Sequence, residues 1–174
     1  MKKFLIVVDM QKDFVDGALG TAEACAIIPA AARKIAEFDG EIFATFDTHF
    51  DNYLDTAEGK KLPVPHCIKD TDGWQLNADI AAALAGKNFT AVEKYTFGSL
   101  RLPELIRKAA DGEDMSIELI GLCTDICVIS NALVLKAAFP EVPVAVDEKC
   151  CAGVTPDKHN AAIETMKSCQ IDIL

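Results

Sequence analysis

Short runs of β-branched and aromatic residues recur along the chain, separated by longer Ala-rich stretches whose apolar residues fall three and four apart. The runs at 4–9, 41–47, 89–94, 116–122, 142–147 and 171–174 predict strands. Stretches near 29–38, 78–84, 103–110, 125–138 and 157–168 predict helices. Pro103 in a first turn and Thr155-Pro156-Asp157 before the last helix mark two helix starts, because proline at the first helical position gives up an N–H that has no intrahelical partner. Strict alternation of the two patterns predicts an α/β fold of three layers, a six-stranded parallel sheet with helices on both faces.

The longest stretch without periodicity is 50–73, which holds Gly59, Pro63, Pro65 and Gly73. A loop of that length inside a compact domain is often functional. Ligands of open parallel sheets gather beyond the carboxyl ends of the strands, where strand order reverses. That rule selects Asp9, Asp47 with His49, Lys94, the 121–127 turn and Asp147 before any motif is considered.

Bulk composition narrows the class of function. The 174 residues fit a single domain spanning 1–174, and no repeat or linker divides them. A net charge of -10 argues against nucleic acid and against an anionic membrane surface, both of which need clustered Lys and Arg. The apolar run Phe4 to Val8 is broken at once by Asp9, Gln11, Lys12 and Asp13, so it reads as a strand end rather than a secretory signal, and no apolar stretch reaches the roughly 20 residues of a membrane span. Seven cysteines, an odd number, are then expected to be reduced thiols of a cytoplasmic protein. Their spacing lacks the paired C-x-x-C units of a structural zinc site.

Three strand-end residues carry candidate chemistry. Cys127 follows the fourth strand and falls in the first turn of the next helix, where free N–H groups and the helix dipole are expected to lower a thiol pKa. Asp9 closes the first strand and, facing Cys127, could accept the thiol proton and return it to a leaving amine. Lys94 closes the third strand and could keep both partners ionised.

Four segments follow the first four strands in order: Asp9-Met10-Gln11-Lys12-Asp13-Phe14, Asp47-Thr48-His49, Lys94-Tyr95-Thr96-Phe97-Gly98-Ser99, and Gly121-Leu122-Cys123-Thr124-Asp125-Ile126-Cys127-Val128. Together they resemble the cysteine hydrolase superfamily of isochorismatases and nicotinamidases, over nearly the whole chain. The resemblance implies a Rossmann-type three-layer sheet and a catalytic triad of Asp9, Lys94 and Cys127. It also implies a thioester intermediate and an oxyanion hole from the N–H groups of Cys123 and Cys127, placed by a cis Leu122–Cys123 peptide. Isochorismatases proper lack the nucleophilic cysteine, so Cys127 points to amide cleavage.

Asp47 and His49, with Glu58 and His66 in the long loop, form a set suited to Zn, Mn or Fe. Relatives of the nicotinamidase branch use such a set to anchor a pyridine nitrogen, commonly with three histidines and one aspartate. Here the third ligand is expected to be Glu58, with Asp55 the alternative. Phe14, Trp74 and Tyr95 could enclose a flat heteroaromatic ring. The leading expectation is cleavage of nicotinamide to nicotinate and ammonia. The alternatives are a metal-free N-carbamoyl or ureido amidohydrolase and, in another class, a non-hydrolytic protein using Cys123, Cys127, Cys150 and Cys151 as redox thiols. Relatives commonly form homo-oligomers. The chain ends at Leu174, within the last expected strand, so a covering C-terminal element is expected to be absent and the pocket more open.

Overall fold

A computed structural model describes residues 1–174. Its sheet contains β1 (Lys2–Val8), β2 (Glu41–Asp47), β3 (Phe89–Lys94), β4 (Met115–Leu122), β5 (Val144–Ala152) and β6 (Asp172–Ile173) in the order β3-β2-β1-β4-β5-β6. Every pairing is parallel. The order reverses between β1 and β4, and a crevice opens there at the carboxyl ends.

The apolar run of β1 is continuous because it serves two cores. Phe4, Ile6 and Val8 face one, with Leu102, Ile106, Leu135 and Met166 from α4 (Arg101–Ala110), α5 (Ile129–Ala138) and α6 (Pro156–Ser168). Leu5 and Val7 face the other, with Ile27, Ala31, Ile35 and Ile80 from α2 (Ala22–Glu37) and α3 (Ala78–Leu84). Each of these side chains larger than Ala contributes about 1.5–3 kcal/mol on burial. Gly121, at φ +120°, lets β4 run against β1, since a Cβ there would lie 2.2 Å from the Val8 carbonyl oxygen.

Three elements depart from the sequence expectation. The helix expected from Pro29 begins at Ala22, where the Thr21 side chain accepts the Ala24 N–H, and it continues through Pro29. A proline costs an interior helix one hydrogen bond, and the buried face of Ala24, Ile27, Ile28 and Ala31 offsets that loss. A one-turn helix, α1 (Lys12–Val15), lies too close to β1 to show periodicity. Strand β5 runs on past Asp147 to Ala152, its register against β4 shifting between Leu119 and Gly121. Asp147 therefore lies along the sheet and pairs with Lys34 of α2 at 2.9 Å, away from the crevice.

Candidate active site

Register places the first elements of the site. Asp47 pairs with Lys94 across β2 and β3, and Val8, the residue before Asp9, pairs with both Thr45 and Gly121. Asp9 itself adopts φ +47°, a left-handed conformation that Asp tolerates better than most residues. Its N–H reaches both the carbonyl and the hydroxyl of Thr45 at 3.2 Å.

Asp9, Lys94 and Cys127 meet in the crevice and are all buried. Lys94 Nζ lies 2.7 Å from Asp9 Oδ2, donates to Asp47 Oδ1 at 3.0 Å and to the Thr96 carbonyl at 3.2 Å, and lies 3.5 Å from Cys127 Sγ. Thr45 Oγ1 donates to Asp9 Oδ1 at 2.6 Å. Asp9 Oδ2 has the Lys94 charge beside it but no hydrogen bond of ordinary angle. That oxygen therefore keeps a lone pair for the thiol proton.

Electrostatics here overturn one sequence expectation. Cys127 does sit at a helix entry, in a π turn of Thr124–Val128 that leads into α5. Burial, joined by the Asp9 and Asp47 charges and opposed by Lys94, nevertheless pushes its thiol well above the ordinary range. Desolvation of a thiolate outweighs the helix-end field. The protonated thiol is therefore the favoured resting form. Burial also lifts the Asp9 carboxyl, against the pull of Lys94 and with the push of Asp47. For Lys94 burial disfavours the charge, but Asp9, Cys127 and Asp47 outweigh it and hold the ammonium well above its usual range.

The second cluster shares Asp47. Its Oδ2 lies 2.9 Å from His49 Nε2 and 3.6 Å from His66 Nε2, while Glu58 Oε1 lies 3.7 and 3.6 Å from the same two nitrogens. The four donor atoms all fall within 4.8 Å of one another. A tetrahedral ion with bonds near 2.1 Å needs ligand separations of about 3.4 Å, so the set fits a divalent metal with little movement. His66 Nδ1 donates to the Val64 carbonyl at 2.8 Å, which turns Nε2 inward. Burial disfavours the His66 charge, but the hydrogen bonds to Asp47 and Val64 prevail and raise its pKa. Asp55 lies in a 3-10 turn outside this group, and Glu58 takes the place. Tyr53 packs edge-on against both imidazoles, at 4.7 and 5.1 Å.

Cys127 of the first cluster and all four residues of the second line one cavity of about 710 Å³. Phe14 and Tyr95 line it, Phe14 with its ring centroid 5.4 Å from that of His66 and Tyr95 exposed. Trp74 does not line it; its ring packs on Phe46 at 5.3 Å and its Nε1–H donates to Thr48. Cys123 lines the floor, its peptide bond with Leu122 is cis, and its carbonyl accepts the Ile126 and Val128 N–H groups. All seven cysteines are free. Cys150, pushed up to about 11 by burial, is a poor candidate for thiol exchange.

Three residues around the cysteine turn, Asn131, Thr124 and Asp125, are given no role by the sequence reading. Asn131 lies four residues beyond Cys127 on the buried face of α5. Its Nδ2 donates to the Cys127 and Phe97 carbonyls and its Oδ1 accepts the Ser99 N–H, which ties the cysteine turn to the loop after β3. Thr124 meets His159 Nδ1 at 2.8 Å, and Asp125 accepts the Val154 N–H at 2.9 Å, which ties the same turn to the start of α6. A fully buried Asn or Thr inside an apolar helical pattern is the signal that could have found them.

Comparison with known proteins agrees with this geometry. The Isochorismatase domain family matches residues 3–174. The chain is 26% identical over 188 residues to the nicotinamidase/pyrazinamidase of Mycobacterium tuberculosis, covering 98% of this chain and 97% of that one. An isochorismatase family protein of Bacillus subtilis is 30% identical over 143 residues, 76% of this chain and 78% of that one. The crystal structure of a Pyrococcus horikoshii pyrazinamidase in complex with zinc superimposes with a TM-score of 0.84 at 26% identity, covering 100% of this chain and 99% of that one. No helix is long and apolar enough to cross a membrane. With a doubly wound parallel sheet, a buried Asp-Lys-Cys cluster at its switch point and a family match over almost every residue, the chain belongs to the isochorismatase family.

Proposed function

We propose that this protein is a cysteine amidohydrolase, a single domain over 1–174, that cleaves nicotinamide to nicotinate and ammonia. One observation carries the reading: Asp47 pairs with Lys94 of the Asp9-Lys94-Cys127 cluster and with His49 of its own cluster, and Cys127 lines the same cavity as Asp47, His49, Glu58 and His66. Names of similar proteins as nicotinamidase/pyrazinamidase support the same substrate.

In this mechanism Asp9 takes the Cys127 proton as Sγ attacks the carboxamide carbon, so the thiolate forms only as the new bond forms. The Cys123 and Cys127 N–H groups receive the developing oxyanion. Asp9 then delivers the proton to the leaving nitrogen, ammonia departs and a thioester remains. Water, deprotonated by Asp9, attacks the thioester, and the returning proton restores the thiol. Lys94 stays charged throughout and limits the repulsion between Asp9 and the developing anion. Asp47, His49, Glu58 and His66 would hold a divalent ion, zinc by the chemistry of the set, and when bound it supplies a Lewis-acid contact for the ring nitrogen. Phe14 and Tyr95 flank the ring.

Ammonia release from nicotinamide by the purified protein tests this reading. We expect turnover that Cys127→Ala abolishes. Release no greater than the Cys127→Ala background would remove the nicotinamide assignment, and activity on N-carbamoyl or ureido compounds by protein free of transition metal would favour the metal-free amidase.

A further inference from the structure

The hexapeptide after β1 contributes Asp9 to the thiol and Phe14 to the cavity, which leaves Gln11 and Asp13 without a role in the chemistry above. Gln11 is fully buried and its side chain grips the backbone of Asp47 on both sides. Its Nε2 donates to the Asp47 carbonyl and the Trp74 carbonyl, each at 2.9 Å, and its Oε1 accepts the Asp47 N–H at 2.8 Å. Two carbonyls on one side and an N–H on the other fix the amide's orientation. Asp13 acts at the other end of the cluster. Its Oδ2 accepts the N–H of Cys67, the residue after His66, at 2.7 Å, and its own N–H donates to the Gly73 carbonyl at 3.1 Å. Gly73 is what permits that approach, because a Cβ there would come within 2.2–2.4 Å of the Asp13 carboxyl group. The Cys67 carbonyl in turn accepts the His49 N–H at 3.0 Å. Two side chains two residues apart thus fix the backbone at Asp47 directly, at His66 through its neighbour, and at His49 at one further remove. The fourth ligand, Glu58, is outside their reach.

We propose that Gln11 and Asp13 are positioning residues of the four-ligand cluster, holding three of its donors at metal-binding separation without touching metal, substrate or thiol. The inference rests on the metal reading above. A ligand cluster recruited from a strand end and a long loop needs such support, because each free loop torsion lowers the fraction of molecules with donors in place.

Zinc affinity of the purified chain, measured by competition with a chromophoric chelator well below the melting temperature, tests it. We expect Gln11→Met and Asp13→Ala to raise the zinc dissociation constant about 10–100-fold. Asp13→Asn, which keeps an oxygen for the Cys67 N–H, should recover most of that loss. Lys12→Ala, which removes only the exposed ion pair to Asp72 between them, should leave affinity unchanged. Wild-type affinity in both Gln11→Met and Asp13→Ala overturns the inference alone. Absence of zinc binding by the wild-type protein overturns the metal reading and the inference together. A merely structural role would lower the melting temperature of the zinc-free protein and leave the affinity of the folded chain intact. If Gln11→Met does not fold, the contrast between Asp13→Ala and Asp13→Asn decides.

Discussion

Two lysines in this molecule each lie between two carboxylates, and their bond lengths are nearly the same. Lys94 is 2.7 Å from Asp9 and 3.0 Å from Asp47; Lys34 of α2 is 2.6 Å from Glu118 and 2.9 Å from Asp147. What differs is water. The Lys94 side chain is 1% exposed, whereas that of Lys34 is 28% exposed at the edge of an open groove of about 890 Å³. Around Lys94 the charges shift one another and a nearby thiol, so a change at one atom is felt at all of them. Around Lys34 solvent screens the same arrangement, and the result is a brace between α2 and the sheet. Both lysines are held above their ordinary pKa, Lys94 by Asp9 first and Lys34 by Glu118 first, in each case against burial.

The sharpest way to break that comparison is to replace each lysine with methionine. Lys94→Met strands two buried carboxylates, and we expect kcat/KM for the amide to fall by at least about 10³ and stability by about 3–5 kcal/mol. Lys34→Met should cost about 1–2 kcal/mol and leave kcat/KM within about twofold. Steady-state kinetics and denaturant melts check both; equal losses from the two would show that burial does not separate them.

A somewhat smaller effect is expected from Asp9→Asn. It retains an oxygen for Thr45 but cannot accept the thiol proton, and kcat should drop about 10²–10⁴-fold with little change in KM.

The raised thiol pKa leads to a third outcome. Alkylation of Cys127 by iodoacetamide, followed by mass spectrometry, should still accelerate with pH beyond the ordinary thiol value of 9.0, because the protonated form dominates below the raised pKa. A rate that levels off below pH 8 would show the helix-end field prevailing over burial.

The smallest effect should come from Thr45→Val. The Thr45 hydroxyl bonds the Asp9 carboxylate and works to lower its pKa, so losing that bond raises it further. Asp9 must be ionised to accept a proton, and the acid limb of the kcat/KM profile should therefore move to higher pH, with only a few-fold loss at the plateau.

The strand ends were legible in the sequence because a parallel sheet must be apolar on both faces until it stops, so Asp9, Asp47 and Lys94 each announced a boundary and a place in the crevice together. The order of the four strand-end segments already points to the family that matches residues 3–174. An aromatic in a loop carries no sign of which way it faces, and packing on Phe46 is what turns Trp74 from the pocket. Pro29 has the local look of a helix start, and local rules cannot see the buried face that carries the helix through it. Asp147 looked like another strand end, and only the shifted register of β5 took it to Lys34 instead.

The sequence by itself determined the layered sheet that brings strand ends together and marked the candidates for its chemistry: Cys127, Asp9 and Lys94, with Asp47, His49 and His66 beside them. Tertiary structure alone decided their ionisation and support. It pushed up the pKa of a thiol expected to be acidic at a helix entry, set Glu58 rather than Asp55 beside Asp47, His49 and His66, and brought in Thr45, Asn131, Gln11 and Asp13. The reason is physical. Residue type and periodicity are properties of neighbours along the chain, whereas a pKa and a hydrogen-bond partner depend on desolvation and on groups dozens of positions away.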